Sequence, residues 1–140
     1  MVTEVRPKII FDWAGIPHRR VEFFVSGKFE DRANIRLLQQ KLRDMGYEIV
    51  EDWTNHEYTD KGYPVEYAEA DILGVKKCDV YVGRFIADYN YKGAFVEMGA
   101  AIALNKDVCV IGHAADSCIF VYHPRVKRFE SEEEFLKYYE

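Results

Sequence analysis

Short apolar runs alternate with helix-like segments along the chain. The run Val21–Ser26 is almost continuously apolar, which is typical of a central strand in a parallel sheet. Further apolar runs predict strands at 47–50, 79–83, 107–112 and 126–129, and a weaker edge strand at 9–11 before a turn at 13–17.

Three helices are predicted between and after these strands. The first spans about 30–45, with Ile35, Leu38, Leu42 and Met45 on one face, and ends before Gly46. Pro64 begins the second. Its expected buried stripe places Asp71 at the boundary of the core, and the stripe consists of Val65, Ala68, Ile72 and Val75. Ser131 begins the last, where Glu134 follows at the spacing of a capping box.

A fourth helix, 93–105, carries a single interior charge, Glu97. It is apolar nearly all round, so we expect it to be covered on both sides. A carboxylate there is costly unless it is paired or used, and the nearby helix start at Gly93 favours an anion. This pattern indicates a charged, semi-buried carboxylate, the state that a nucleophile needs. A Glu that merely caps its own helix end is an equally weighted alternative.

Strands that alternate with helices predict an α/β fold with a mainly parallel sheet and right-handed crossovers. Ligands bind such sheets beyond the carboxyl ends of the strands, where the loops 26–30, 84–92 and 112–118 open. The polar loop 52–64 contains Trp53, His56, Tyr58 and Tyr63. Two interpretations are open: this loop is a lid or binding element, or it is an ordinary surface loop.

Charge and cysteine content narrow the class of protein. The chain has 140 residues, a net charge of −5 and no dense basic patch, which argues against a nucleic-acid polymer as partner and leaves nucleosides and nucleotides open. No apolar run approaches the ~20 residues of a membrane span, so no membrane partner is expected. Cys78, Cys109 and Cys118 are predicted to be reduced thiols, which favours a cytoplasmic protein.

The sequence lacks the motifs that several kinds of binding site require. Gly27 is isolated, so neither dinucleotide-binding nor P-loop glycine patterns occur. The four histidines are scattered and no CxxC is present, so we expect no metal and no cofactor. Carboxylates remain: Glu97, Asp71 and Asp88. Such groups suit cleavage at an anomeric carbon, where one stabilises an oxocarbenium-like centre and another handles the proton.

Four segments of the chain resemble the nucleoside 2-deoxyribosyltransferase family, which includes the 2′-deoxynucleoside 5′-monophosphate N-glycosidases. They are FFVSGKFEDR at 23–32, ADILGVKKCDV at 70–80, KGAFVEMGAAIALNK at 92–106 and HPRVKRF at 123–129. The resemblance covers about residues 21–137. We therefore expect an N-terminal extension at 1–20 and a single nucleoside deoxyribosyltransferase-like α/β domain at 21–140.

The resemblance implies a flavodoxin-like, doubly wound sheet of about five strands and a homo-oligomer, a dimer or larger, whose sites a neighbouring subunit completes. By position, Glu97 is the nucleophile on C1′ of the deoxyribose. Asp71 holds the sugar or the nucleophile, or assists proton transfer to the base. Phe23 and Phe29 are expected to line the nucleobase pocket, with Gly27 and Gly93 in the matched loops as further binding positions.

The chain departs from the family at the sugar's 5′ end. Family transferases often carry an acidic residue where this sequence has Tyr91, and the monophosphate hydrolases tend to have a small hydroxyl residue there. Asp88 or Asn90 is a possible substitute in a transferase. Lys28, Arg32 and Arg84 are instead candidates to hold a 5′-phosphate, although a structural ion pair with a carboxylate at the end of the sheet is favoured for Arg32.

The fourth matched segment is where the family donates a polar residue across the subunit interface. His123 and Arg125 occupy it here, and either a role in a neighbour's site or a plain surface role fits them.

The expected function is cleavage of the N-glycosidic bond of a (2′-deoxy)nucleoside, with transfer of the deoxyribosyl group to another nucleobase through a covalent glycosyl-Glu97 intermediate. The partners are then a nucleoside or nucleotide and a free nucleobase. Two alternatives stay open: a (deoxy)nucleoside 5′-monophosphate N-glycosidase, and a non-catalytic nucleotide-binding module on the same fold.

Overall fold

A five-stranded, all-parallel sheet forms the centre of the molecule in a computed structural model that describes residues 6–57 and 64–140. The strands within these described residues are β1 (Ile9–Phe11), β2 (Pro17–Arg20), β3 (Glu22–Ser26), β4 (Glu48–Ile49), β5 (Val80–Arg84), β6 (Asp107–Ile111) and β7 (Val126–Phe129). The sheet has the order β4-β3-β5-β6-β7. The chain therefore steps to one side of β3 first and then to the other, as in doubly wound flavodoxin-like sheets. The predicted fold class is confirmed.

In the described part of the chain, four α-helices cover the two faces of this sheet: α1 (Arg32–Asp44), α2 (Val65–Lys77), α3 (Lys92–Ala103) and α4 (Glu132–Tyr139). Right-handed crossovers place α2 and α3 together on one face, where they contact each other. On the other face, Lys41 of α1 and Glu132 of α4 approach to 3.5 Å. Ser131 caps α4 by accepting a hydrogen bond from the Glu134 amide, as predicted.

The first two strands form a separate antiparallel hairpin. The prediction of a strand at 9–11 is confirmed, but this strand pairs with β2 and not with the main sheet. Arg19 ties the hairpin to the body through two hydrogen bonds to Asp79, at 2.7 and 2.9 Å. The division of the chain at residue 20 stays a prediction. Tyr58 and Tyr63 lie outside the described residues.

The core lies on both sides of β3, whose five residues are all buried. Ile35, Leu38 and Leu42 of α1 are fully buried, which confirms the predicted inner face of that helix. Gly46 follows α1 with φ +102, a conformation that glycine adopts without strain. Cys78, Cys109 and Cys118 are free thiols.

The predicted buried face of α2 is wrong at three of its four positions. Val65 and Ile72 are 71% and 43% exposed and Ala68 is exposed as well, whereas Val75 is buried as predicted and so is Gly74. A side chain at position 74 would meet Glu51 at 2.6 Å and Phe24 at 3.2 Å, so the helix lies close to the sheet at its glycine. The inner face is thereby rotated toward Asp71, which is only partly exposed.

The helix that carries Glu97 is not covered on both sides either. Met98 and Ala101 of α3 are buried, but Val96 is 65% exposed and Leu104, just after the helix, is 42% exposed. Together with Leu73 of α2, which is 63% exposed, they leave apolar side chains on this face in contact with solvent. The sequence pattern could not tell which apolar face the sheet would cover.

Within residues 6–57 and 64–140, the helices are all too short or too polar to cross a lipid bilayer.

Candidate active site

A cavity of about 510 Å³ opens at the carboxyl ends of β3 and β5. This is the place where the strand order reverses and where sheets of this class bind ligands, and the volume suits a small ligand. The cavity is lined by Gly27, Lys28, Phe29, Glu30, Trp53, Tyr67, Ala68, Asp71, Ile72, Asn90, Tyr91, Lys92, Gly93, Ala94, Val96 and Glu97. The structure thus brings six of the ten predicted site residues to one cavity: Glu97, Asp71, Gly27, Phe29, Tyr91 and Gly93.

Glu97 reaches the floor of the cavity from the second turn of α3. Its Oε1 accepts a 2.8 Å hydrogen bond from the hydroxyl of Ser26, the last residue of β3. Ser26 is fully buried, so the carboxyl group is fixed against the end of the central strand. Sequence reasoning did not assign Ser26 a role, although it lies in the matched segment just before Gly27.

Burial raises the pKa of Glu97 to about 8. The hydrogen bond from Ser26 opposes this shift, and the nearby charge of Asp71 adds to it. The expectation of a carboxylate kept charged by the helix start is therefore wrong for the free protein. The physical reason is position: α3 begins at Lys92, and the effect of the helix dipole fades beyond the first turn.

Asp71 enters the same cavity from α2, and its side chain is 21% exposed. Its pKa is raised to about 6, because the increase caused by burial and, to a smaller extent, by the charge of Glu51 outweighs the decrease caused by His56. The two carboxyl groups thus have pKa values on either side of neutrality. Such a divergence is a usual sign of an acid–base pair with divided roles.

His56 and Glu51 stand behind Asp71. Nε2 of His56 lies 2.8 Å from Oε1 of Glu51, and Nδ1 lies 3.9 Å from Oδ1 of Asp71. The imidazole ring also stacks on Tyr67, with ring centroids 4.0 Å apart. Sequence reasoning placed His56 in a candidate binding loop but gave it no chemistry, and it gave no signal for Glu51.

Glu51, His56 and Asp71 were not foreseen as a group, because the sequence has them on a loop and a helix without metal-ligand spacing. One potential ligand atom from each lies within 4.8 Å of the others. The 2.8 Å contact between His56 and Glu51 is an ordinary hydrogen-bond length. Hydrogen bonding accounts for that contact without an ion.

The mouth of the cavity is built from the loop after β3 and the loop before α3. A Cβ on Gly27 would lie 2.8 Å from the terminal methyl group of Ile35, so a larger residue there would displace that side chain, and Phe29 follows in a short helical turn. Nζ of Lys28 donates a 2.8 Å hydrogen bond to the carbonyl oxygen of Asn90, which bridges the two loops. Trp53 is anchored by a 2.6 Å hydrogen bond from its indole nitrogen to the carbonyl oxygen of Val25.

The predicted residues Tyr91, Asp88 and Arg32 differ in their relation to this mouth. Tyr91 is buried against Phe85, and its hydroxyl donates a hydrogen bond to the carbonyl oxygen of Ala87. Its polar end is therefore already engaged within the loop. Asp88 is exposed and does not line the cavity. Arg32 lies outside the lining as well, and its guanidinium packs on the ring of Phe29, 4.3 Å from the ring centre.

Arg84 is engaged in ion pairs away from the cavity. Its guanidinium forms ion pairs with Asp31 at 2.7 Å and Glu132 at 2.9 Å. This interaction joins the end of β5 to α4, and it removes Arg84 from the candidates for a phosphate.

Two predicted binding residues lie away from the cavity. Phe23 is fully buried at the amino-terminal half of β3, where its ring contacts Tyr47 and Tyr139 at 4.8 and 5.0 Å. It is a core residue and does not line the pocket, because its strand position points it toward α4. Arg125 lies at the opposite end of the sheet, where it bonds to the carbonyl oxygen of Asn105 at 2.6 Å. A role for Arg125 in a neighbouring subunit stays a prediction.

Comparison of the sequence with protein-family models and with curated proteins gives no match. Solved structures do match the fold. The 2-deoxyribosyltransferase of Bacillus psychrosaccharolyticus has a TM-score of 0.66 and 18% identity, over 83% of this chain and 90% of that one. A CMP N-glycosidase of Clostridium botulinum has a TM-score of 0.58 and 18% identity, over 83% and 96%. A conserved protein of Enterococcus faecalis has a TM-score of 0.63 and 16% identity, over 85% and 96%. At these identities the likeness shows a shared fold.

Proposed function

We propose that this protein is an enzyme that cleaves the N-glycosidic bond of a 2′-deoxynucleoside and transfers the deoxyribosyl group to another nucleobase. The observation that carries the proposal is the pair of carboxyl groups, Glu97 and Asp71, at the switch point of the sheet with pKa values of about 8 and about 6. Paired carboxyl groups with divided roles are the machinery of glycoside cleavage. Two fold neighbours are named for chemistry of this kind, a deoxyribosyltransferase and an N-glycosidase.

The pair holds one proton at neutral pH, and a leaving nucleobase needs one proton. Glu97 carries it in the free enzyme, and Asp71 is ionised. In the first half-reaction, the C1′–N bond breaks with its electron pair staying on the base, and a carboxylate oxygen of Glu97 bonds to C1′. The proton of Glu97 passes by way of Asp71 to the base nitrogen. In the second half-reaction, an incoming base displaces Glu97 and returns a proton to the pair.

Surrounding groups support this assignment. The hydroxyl of Ser26 stabilises the charge that Glu97 acquires as it loses its proton. Phe29 and Trp53 line the same cavity and offer aromatic surfaces for a nucleobase. No cofactor enters these steps.

A second candidate function is hydrolysis of a nucleoside 5′-monophosphate. Lys28 and Lys92 both line the cavity, and ammonium groups at a cavity mouth suit a phosphate. Tyr91 stands where a transferase of the resembling family often has an acidic residue, and its hydroxyl is engaged with Ala87.

We further propose a homo-oligomer. Val65, Ile72, Leu73 and Val96 expose apolar surface on α2 and α3, beside the cavity. A second copy that covered these helices would remove that surface from water and would lie near the cavity mouth. Sedimentation velocity at micromolar concentration tests this, and a monomer at all concentrations would contradict it.

The decisive assay offers the purified protein a deoxynucleoside and a different free base, and then a deoxynucleoside monophosphate alone. Chromatography is expected to show a new nucleoside in the first mixture. Release of base and sugar phosphate in the second would favour the hydrolase. Glu97→Ala and Glu97→Gln are expected to abolish turnover, while the exposed Glu133→Gln is expected to retain it.

Trapping tests the covalent step. A 2′-fluoro substituent on the sugar destabilises an oxocarbenium-like centre and lengthens the life of a glycosyl ester. Mass spectrometry of protein incubated with such a nucleoside is expected to show the added sugar on the peptide that contains Glu97. Binding of nucleotides detected by thermal shift, without turnover of any substrate, would overturn catalysis and favour a binding module.

A further inference from the structure

Two buried polar atoms beside the site have no hydrogen-bond partner among the described residues: Nδ1 of His56 and Oδ1 of Asp71. They face each other across 3.9 Å, and the His56 side chain is only 8% exposed. A buried polar atom without a partner costs free energy. A small approach of the two groups would let them share a proton and would satisfy both.

The imidazole ring of His56 is held so that this nitrogen faces Asp71. The other ring nitrogen, Nε2, is 2.8 Å from Oε1 of Glu51. The ring plane lies 7° from that of Tyr67, on which it stacks. A carboxylate on one ring nitrogen fixes the orientation of the ring and the proton on that nitrogen.

The loop after β4 and helix α2 both have local features that accommodate Glu51. Its backbone has φ 43, a conformation that is uncommon for a residue with a side chain. Its Cβ lies where α2 has Gly74, since a Cβ on Gly74 would come within 2.6 Å of it. The loop after β4 and the helix that carries Asp71 therefore fit together at Glu51.

We propose that Glu51 and His56 form a buried proton relay that ends on Asp71 and controls its protonation state. The inference rests on the proposed function of the site, in which Asp71 passes a proton to the nucleobase. A proton on Asp71 passes to Nδ1 of His56 as Nε2 releases its own proton to Glu51. One O–H and one N–H bond break while one N–H and one O–H bond form, and no electrons are exchanged. The Glu51 side chain is 31% exposed, so the outer end of the relay, opposite Asp71, is open to solvent.

The titratable groups that face the relay are Glu51 from the loop after β4, Tyr67 from α2 beside Asp71 itself, and Glu97 from α3. His56 lowers the pKa of Asp71, and Glu51 raises it. Replacement of His56 by a neutral side chain thus raises the pKa of Asp71. His56 acts on the reaction through Asp71, so it is a positioning residue.

The direct test is a carbon-13 NMR titration of the Asp71 carboxyl group. In His56→Gln, the midpoint is expected to move about one pH unit higher than in the wild-type protein. The matched control is His18→Gln, because His18 is exposed on β2, and its Asp71 midpoint is expected to equal that of the wild type. An unchanged midpoint in His56→Gln would overturn the relay.

A second measurement needs no substitution and serves if His56→Gln does not fold. Nitrogen-15 shifts of the His56 ring in the wild-type protein are expected to show an inflection at the midpoint of the Asp71 carboxyl carbon, since two strongly interacting groups titrate together. Ring shifts without that inflection would contradict the relay. Because Glu51, His56 and Asp71 also lie close enough for a cation, samples contain a chelator. Stoichiometric zinc in protein that was purified without a chelator would likewise contradict a proton relay.

Kinetics link the relay to the reaction. In His56→Gln, the acidic limb of kcat/KM is expected to move to higher pH with the Asp71 midpoint, while the basic limb stays in place. A loss of activity without a shift of the acidic limb would indicate a structural role and overturn the relay. The NMR titrations need no substrate. Absence of turnover by the wild-type protein therefore counts against the proposed function, and the titrations decide the relay separately.

Discussion

The hydroxyl of Ser26 donates a 2.8 Å hydrogen bond to Oε1 of Glu97, and this contact joins the end of the central strand to the helix at its side. The bond lowers the pKa of Glu97 against the effect of burial. It is therefore a stabilising interaction of the ionised form, which is the form that bonds to the sugar.

Ser26→Ala is expected to reduce kcat about 10- to 100-fold, the equivalent of a hydrogen bond to a charged group. The pKa of Glu97 rises without that bond, so the basic limb of kcat/KM moves to higher pH. Steady-state kinetics between pH 5 and 10 measure both effects. Ser117→Ala, at an exposed position, serves as control. A basic limb that does not move would separate Ser26 from Glu97.

The pH dependence of the wild-type enzyme follows from the pair of carboxyl groups. Asp71 must be ionised to accept the proton of Glu97, and its pKa of about 6 sets the acidic limb. Glu97 must hold a proton to supply, and its pKa of about 8 sets the basic limb. We expect a bell-shaped kcat/KM with its maximum near neutrality. A rate that rises steadily up to pH 9 would exclude a proton held by Glu97.

The parallel sheet could be predicted from sequence because the strands are short apolar runs between amphipathic or apolar helices, and that alternation permits few topologies. The predicted buried face of α1 was correct because the polar and apolar sides of that helix differ sharply. The predicted buried face of α2 was right at Val75 but wrong at Val65 and Ile72, which are apolar residues on the exposed side, because Gly74 decides which side lies against the sheet. A glycine that gives close approach carries no hydropathy signal.

The candidate site was predicted in part for a similar reason. Glu97 is a lone charge in an apolar helix, and such a residue is visible in sequence. His56 and Glu51 lie on a loop, and only the folded chain brings them to Asp71. Phe23 was misassigned because an apolar residue in a matched strand can face either the ligand or the core, and its ring faces Tyr47 and Tyr139.

Lys28 offers a test of whether the substrate carries a phosphate. Its ammonium group lies at the cavity mouth and bonds to the carbonyl oxygen of Asn90. For a deoxynucleoside monophosphate, Lys28→Met is expected to raise KM about 10-fold, since it removes a charge of opposite sign from the phosphate. For the unphosphorylated nucleoside, KM is expected to stay within about twofold, because the lost contact is to the phosphate.

Lys77→Met is the matched control for Lys28→Met, because Lys77 is exposed in the last turn of α2. Initial rates with both substrates give the comparison. Equal increases in KM for nucleoside and monophosphate would show that Lys28 supports the loop and not a phosphate.

Burial of Glu97 lowers the stability of the folded protein at neutral pH, and unfolding measurements can reveal this loss. Its pKa is about 8 in the folded protein and 4.5 in an unfolded chain, so the folded state binds the proton more tightly. The stability that this proton contributes is fully present below pH 4.5 and is lost as the pH rises toward 8. Glu97→Gln resembles the protonated acid at every pH. It is therefore expected to match the wild type near pH 4 and to exceed it by about 3 kcal/mol at pH 7. Urea unfolding at several pH values measures this difference, with the exposed Glu133→Gln as control. Equal stability of Glu97→Gln and the wild type at pH 8 would mean that Glu97 is ionised in the free protein, and the proton for the leaving base would then have to come from another group.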